Sequence, residues 1–435
     1  MGMKNQILLK SNPKFFRHLA AALTTLIILS LINQLNYPLL PYPSSLLKTT
    51  TSTSVLPSSS SSSPPRDVVE DLDVSLRSSS SSSDENSNLK CDLFAGKWVW
   101  DPENAPYYTN ATCSAIHEQQ NCMKYGKPNM DFTKWRWKPD DCELPIFNTE
   151  QFLEILRGKS LAFVGDSVAR NQMESLICLL SKVGYPVDVS YSSQVQTKRL
   201  FYTNYNFTLS IFWSPYLVKT KETSTSGIFN VYLDEFDVDW TTEIAKFDYV
   251  IISAGHWFFR PSMFYENGEL VGCLYCEDNN VTHFDHTYGY RRAIRTAFRA
   301  INSLEKLKGI TFLRTFSPSH FENGTWNEGG NCGKTRPYMR NETHLNGQDL
   351  EKYTTQLEEF RVAEREGMKK GLNKFRLLDT SEAMWLRPDG HPSSYWHIPE
   401  EVGKYNDCVH WCSPGPVDTW NDFLLEMLKR EEVRR

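Results

Sequence analysis

"LAFVGDSVARNQ", residues 161–172, is the stretch on which the reading of the whole chain turns. An apolar run ends at Gly165, and Asp166 and Ser167 come next. From Val168 onward the pattern is helical, with Met173, Leu176, Ile177 and Leu180 on one face. A buried strand that passes straight into an amphipathic helix is the building unit of a parallel sheet covered by helices. Ser167 stands where the strand ends and the helix begins. It can be the N-cap of that helix, a common role for serine. It can also be a nucleophile, with Oγ facing the crevice beyond the carboxyl ends of the strands. There the free N–H groups and partial positive charge of a helix N-terminus suit an oxyanion. The local sequence leaves both readings open. It is not the G-x-S-x-G elbow of the α/β-hydrolases, because Asp166 precedes the serine and Val168-Ala169 succeed it.

Outward from this stretch, "FDYVIISAG" (247–255), "ITFLRTF" (310–316) and "FRLLD" (375–379) are further buried strands. Between them lie a short helix ending near Gly158 and a helical face formed by Ile294, Ala297, Phe298, Ile301 and Leu304. A long, mostly solvated helix spans 349–372, and a last helix starts near Asp418. The expectation is an α/β catalytic domain over 151–435, a parallel sheet with helices on both faces. The β-like runs between 199 and 235 read as an insertion or an antiparallel edge. Residues 91–150 differ. They hold four cysteines, and "GKWVWD" and "FTKWRWKPDDC" alternate aromatic and polar side chains as half-buried strands do. They predict a small disulfide-tied N-terminal subdomain that does not fold alone.

The N-terminus lies outside this fold. Lys4, Lys10, Lys14 and Arg17 precede an apolar run from Leu19 to Ile32, continued less cleanly through Leu35, with no small-residue cleavage site after it. This predicts a signal anchor over 19–35 rather than a cleaved signal peptide, with a cytosolic tail over 1–18. The short span suits the thinner membranes of the early secretory pathway, hence a Golgi membrane. Residues 36–90, with serine runs at 58–63 and 78–83, predict a disordered stem. A net charge of −5 gives no electrostatic footprint for nucleic acid.

All ten cysteines come after residue 90, as expected for a lumenal disulfide-bonded domain. Sequons at Asn110, Asn206, Asn280, Asn323 and Asn341 agree with that compartment. Cys273 and Cys276 could form half of a zinc site. With no second pair nearby and an oxidising compartment, they read as a small disulfide loop, and no metal site is expected.

A nucleophilic serine needs a base and an orienting acid. The tail offers two pairs. Asp389 and His391 lie in the Pro/Gly-rich "RPDGHPSSYWH". Asp407 and His410 lie three residues apart in "YNDCVHWCSPG", in the stretch that also holds Cys408 and Cys412. Spacing favours the second pair without excluding the first.

"FVGDSVARNQ" and "DCVHWCSPGPVDTWN", together with "CDLFAGKWVWD" and "WRWKPDDCELP", resemble the plant trichome birefringence-like family from about Cys91 to Asn421. The resemblance implies a GDSL/SGNH-like fold and polysaccharide O-acetyltransferase activity in the Golgi. It makes Ser167 the nucleophile, His410 the base and Asp407 its partner, and leaves Asp389 and His391 as architecture of the substrate cleft. In such enzymes a separate Gly and an Asn side chain complete the oxyanion hole, and Ser253 stands here where the family more often has Asn. Gly165, Asp166, Gly255 and His256 remain as oxyanion or substrate candidates. Arg170 and Asn171 are candidates to orient the serine turn or meet substrate. The family also implies disulfides Cys91–Cys142, Cys113–Cys178, Cys122–Cys412, Cys332–Cys408 and Cys273–Cys276. No bound cofactor is implied. The co-substrate is an acetyl donor, acetyl-CoA or another acetylated carrier. "GCLYCEDNNVTHF" (272–284) resembles the xyloglucan-acting branch, with xylan as runner-up acceptor. Trp257, Tyr395 and Trp396 are candidates to stack on sugars. The competing functions are a carbohydrate acetyl esterase and a non-catalytic polysaccharide-binding protein.

Overall fold

A computed structural model describes residues 91–434 apart from 104, 192–196, 224–226, 305–306, 308 and 398–404. The expected tail, anchor and stem over 1–90 lie outside the described residues. Among the described residues, no helix is long and apolar enough to cross a membrane.

The chain opens with an antiparallel pair, β1 (Gly96–Trp100) and β2 (Trp135–Pro139). Their alternating tryptophans meet edge to face, Trp98 on Trp137 with ring centroids 5.6 Å apart. This subdomain shares its core with the larger α/β domain. Trp98 Nε1 donates to the Ala383 carbonyl at 2.7 Å, and the Tyr108 hydroxyl donates to Asp418 at 2.6 Å. After α1 (Thr149–Ile155) come β3 (Ser160–Gly165) and α2 (Ser167–Leu180). Next are β4 (Val187–Asp188), β5 (Lys198–Tyr202), β6 (Phe207–Trp213), β7 (Val218–Glu222), β8 (Phe229–Phe236), the single-turn α3 (Val238–Thr241) and β9 (Tyr249–Ser253). Then β10 (Ser262–Glu266), β11 (Glu269–Leu274), α4 (His286–Ser303), β12 (Ile310–Arg314), α5 (Gly347–Lys369), β13 (Phe375–Leu378), α6 (Ser381–Trp385) and α7 (Asp418–Arg434) complete the chain.

The central sheet has the order β13-β12-β9-β3-β6-β5-β4. From β13 to β6 it is parallel, and β5 and β4 form an antiparallel edge. Side chains alternate across a strand. Leu161 and Phe163 of β3 therefore join one core cluster with the apolar face of α2 and with Phe423, Leu424 and Leu428 of α7. Ala162 and Val164 join the other, with Ile294, Phe298 and Ile301 of α4 and Phe360 of α5. Helices thus cover both faces.

The β-like runs between 199 and 235 divide three ways. β6 is not an insertion or edge but joins the central sheet parallel to β3, β5 forms the antiparallel edge, and β7 and β8 enter a separate sheet of order β11-β10-β8-β7. The long helix α5 is mostly solvated, as expected, but it carries one buried face. Lys352, Thr355, Gln356, Glu359, Phe360, Ala363 and Gly367 are buried along it. Polar side chains with internal partners form this face: Glu359 accepts two hydrogen bonds from Arg295, and Gln356 accepts from the Phe316 N–H. A hydrophobicity pattern does not register such a face.

All five sequon asparagines are exposed. The disulfides are Cys91–Cys142, Cys113–Cys178, Cys122–Cys412, Cys273–Cys276 and Cys332–Cys408, the pairs implied by the resemblance. Among the described residues, the group spaced to hold a metal ion is Cys273, Cys276 and His283, and there both sulfurs are taken by the disulfide.

Candidate active site

β3 lies between β6 and β9, so the chain leaves it toward both sides of the sheet. The crevice beyond such a switch point is where α/β sheets bind ligands. β3 ends at Gly165 with φ +156°, and a Cβ there would fall 1.7 Å from the Ser253 carbonyl oxygen. Only glycine lets the chain turn this closely against β9.

The cap of α2 is Asp166, not Ser167. Asp166 Oδ1 accepts the Val168 N–H at 3.0 Å, which leaves the Ser167 hydroxyl free of capping duty. The other carboxylate oxygen, Oδ2, accepts the N–H groups of Gly255 and His256, both at 3.1 Å. Asp166 is fully buried. Burial alone would raise its carboxyl, but hydrogen bonds from His256 and the positive field of Arg314 hold it at about 2. One side chain thus fixes both the serine turn and the β9 loop.

This corrects the assignment of Gly255 and His256 as oxyanion donors. Their N–H groups are spent on Asp166, and the His256 ring spans from Asp166 to the Ser317 carbonyl, which lies 2.9 Å from Nε2. Asp166 is likewise an acceptor within the scaffold. Gly165 is a spacer whose carbonyl accepts from Ser214 N at 2.9 Å. The Ser167 N–H stays available for an oxyanion, with no hydrogen-bond partner among the described residues.

Ser167 Oγ is 2.7 Å from His410 Nε2, and His410 Nδ1 is 2.8 Å from Asp407 Oδ2. The carboxylate fixes the tautomer: Nδ1–H donates to Asp407, so the Nε2 lone pair faces the serine hydroxyl. The three-residue spacing closes a tight turn in which Asp407 Oδ1 also accepts the N–H groups of Val409 and His410, at 3.1 and 2.9 Å. Burial would raise the Asp407 carboxyl, but the charge and hydrogen bonds of His410 and the Val409 N–H hold it at about 2. Burial would lower His410, and Asp407 outweighs it, leaving the imidazole above its ordinary value. A base must be neutral to take a proton. kcat/KM should therefore rise with pH along an acid limb inflecting above about 6.5, a profile measured directly by initial rates.

Asn171, one turn into α2, is buried and faces the histidine turn rather than substrate. Its Oδ1 accepts Trp411 N at 2.8 Å, and its Nδ2 donates to the Trp411 carbonyl at 3.2 Å. Asn171→Ala leaves both Trp411 groups unpaired and frees the turn. We expect about a 10- to 100-fold loss of kcat with a largely unchanged circular dichroism spectrum. Arg170 lies over the Trp213 ring, 5.6 Å from its centroid, beside Glu174.

Two disulfides bracket His410: Cys408 is tied to Cys332, and Cys412 to Cys122 of the N-terminal subdomain. A reductant titration should abolish activity before far-ultraviolet circular dichroism reports loss of the sheet.

The competing pair is built differently. Asp389 forms a buried bidentate ion pair with Arg387, at 2.8 and 3.0 Å. His391 is buried beneath the Asp407–His410 turn, where its Nδ1–H donates to the His410 carbonyl at 2.7 Å and its ring stacks on Trp411. Lys127 reaches across from the N-terminal subdomain to the Asp389 and His391 carbonyls. Asp389 and His391 are buried and support the turn from below. Trp396 packs on Tyr405 and His397. Trp257 packs among Trp213, Tyr216 and Phe229.

Sequence reasoning missed Lys352. It is fully buried, donates to the Gly255 carbonyl at 3.2 Å and lies 4.0 Å from the Phe259 ring centroid. Burial pushes it down to about 7. Nothing in its neighbourhood along the chain marks it, since its aromatic cage comes from elements far away in sequence.

Residues 144–427 match the GDSL/SGNH-like acyl-esterase family found in Pmr5 and Cas1p, and residues 89–143 match the PMR5 N-terminal domain. The chain is 55% identical to protein trichome birefringence-like 19 of Arabidopsis thaliana over 382 residues, 84% of this chain and 89% of the relative. It is 47% identical to xyloglucan O-acetyltransferase 4 of Populus trichocarpa over 346 residues, covering 78% and 81%. It is 42% identical to xyloglucan O-acetyltransferase 2 of Arabidopsis thaliana over 348 residues, covering 78% and 83%.

Proposed function

The chain belongs to the GDSL/SGNH-like acyl-esterase family found in Pmr5 and Cas1p, and on that premise we propose that it is a plant cell-wall polysaccharide O-acetyltransferase acting on xyloglucan through an acetyl-serine. The observation that carries this reading is the unbroken hydrogen-bond line from Asp407 through His410 to Ser167. His410 Nε2 takes the hydroxyl proton as Ser167 Oγ attacks the carbonyl carbon of the acetyl donor. The Ser167 N–H and the positive end of α2 face the developing oxyanion. The imidazolium, stabilised by Asp407, returns the proton to the leaving group, and the acetyl group stays on Ser167. A sugar hydroxyl then attacks this ester. His410 takes the hydroxyl proton and delivers it to Ser167 Oγ as the acetyl passes to the sugar.

Xyloglucan as acceptor is supported by relatives bearing that activity in their names. A Golgi membrane position with the catalytic part in the lumen is supported by the basic and apolar run before residue 36 and by the ten cysteines and five sequons behind it. The test is incubation of the full chain with a labelled acetyl donor and deacetylated xyloglucan, xylan and mannan. Label on xyloglucan is the expected result. Free acetate alone would make the protein an esterase, and binding without turnover would make it a non-catalytic lectin-like protein.

A further inference from the structure

A concavity lies on the antiparallel side of the sheet, one strand away from β3, the strand that leads to Ser167. It is a cleft of about 530 Å³ between the β5–β6 edge and α3, lined among others by Tyr191, Lys198, Arg199, Ser210, Trp213 and Glu243. Trp213 ends β6 directly opposite Gly165, the last residue of the nucleophile's strand. Its indole bears the Arg170 guanidinium and meets Trp257 edge to face. Glu174 feels the charges of Arg170, Lys198 and His410 together, so the cleft and the catalytic base share one electrostatic neighbourhood.

Ser210 points to a ligand. It is 1% exposed, and its Oγ has no hydrogen-bond partner among the described residues although it lines the cleft. A buried hydroxyl without a partner costs stability unless another molecule supplies one. The charges of the cleft balance: Lys198 and Arg199 face Asp239 and Glu243. The Arg199 guanidinium is already bound to Glu243 at 3.1 Å and to the Tyr191 hydroxyl at 2.9 Å. Such a surface has no surplus charge to hold a uronate polymer or a phosphorylated carrier. It offers an indole, a phenol and hydroxyl groups, which suit the apolar faces and hydroxyl edges of a neutral sugar.

We propose that this cleft is a subsite for a neutral pyranose chain, in which Trp213 and Tyr191 support sugar rings and Ser210 bonds a sugar oxygen, leading the acceptor toward Ser167. The assignment rests on the acyl-transfer reading of that serine. Its test uses the full chain carrying Ser167→Ala, which prevents turnover, and calorimetric titration with a xyloglucan oligosaccharide, a xylo-oligosaccharide and an oligogalacturonate. Neutral oligosaccharide binds and the uronate does not. Trp213→Ala and Tyr191→Ala each weaken binding by about two- to tenfold. Tyr191 is 70% exposed, so its truncation leaves the core intact.

Ser210→Ala supplies the sharper outcome. It removes an unpaired buried hydroxyl, so the thermal midpoint holds or rises while binding weakens. Binding unchanged in all three variants, or an oligogalacturonate that binds as well as the neutral chains, overturns the subsite. The acyl-transfer reading is judged separately, by acetyl on Ser167 in the unsubstituted chain given donor alone. Either result can fail without the other.

Discussion

His410→Ala lowers kcat/KM for acetyl transfer by at least about 1,000-fold, a loss of the order expected for removing Ser167 itself. The serine hydroxyl is a poor nucleophile at its own pKa, and His410 Nε2 is the group placed at 2.7 Å to take its proton. The loss falls on kcat, because the imidazole acts on the reacting atoms. The melt shifts down but the fold survives: Asp407 loses the imidazole on Oδ2 and keeps two backbone N–H donors on Oδ1, and Cys332 and Cys122 still hold the turn. Rates with and without the substitution, beside a thermal melt, check both halves of the expectation.

Asp166→Ala is the second. It removes the cap of α2, worth about 1 kcal/mol, and strips the N–H groups of Gly255 and His256 of their shared acceptor. Each buried N–H left unpaired costs about 1–3 kcal/mol, so the total loss is several kcal/mol. This falls where the serine turn meets the β9 loop, and activity drops by more than about 100-fold. Asp166→Asn keeps one carboxamide oxygen as an acceptor but loses the charge facing His256 and Arg314, and lands between Asp166→Ala and the unsubstituted chain. Thermal melts and initial rates on the pair separate the cap from the charge.

The architecture is legible where chemistry and periodicity agree along the chain. The apolar run before Gly165 alternates Leu161 and Phe163 against Ala162 and Val164 into two different cores, and a buried parallel strand demands just such a run. Asp407 and His410 are legible because a three-residue spacing makes their meeting local. Their approach to Ser167, some 240 positions away, came from the family resemblance. The sequence puts Asp166 among the oxyanion candidates, whereas the structure makes it a cap and a clamp. The clamp depends on N–H groups that come close only when β9 lies beside β3. Lys352, the His391 support and the partner of Asn171 are illegible for the same reason: each is defined by groups on other elements. The buried face of α5 is illegible because Lys352, Gln356 and Glu359 look like surface residues until Gly255, Phe316 and Arg295 are set against them.

The proposed chemistry centres on a covalent step at one oxygen, and trapping it is the most direct test. Acid quench of the full chain after brief incubation with acetyl donor and no acceptor, then peptide mass mapping, reads the acetyl group where it sits. An acetyl adduct confined to the peptide carrying Ser167, and absent from the Ser167→Ala chain, is the predicted result. Full transfer activity with Ser167 unmodified at every quench time, or retained in the Ser167→Ala chain, would contradict it.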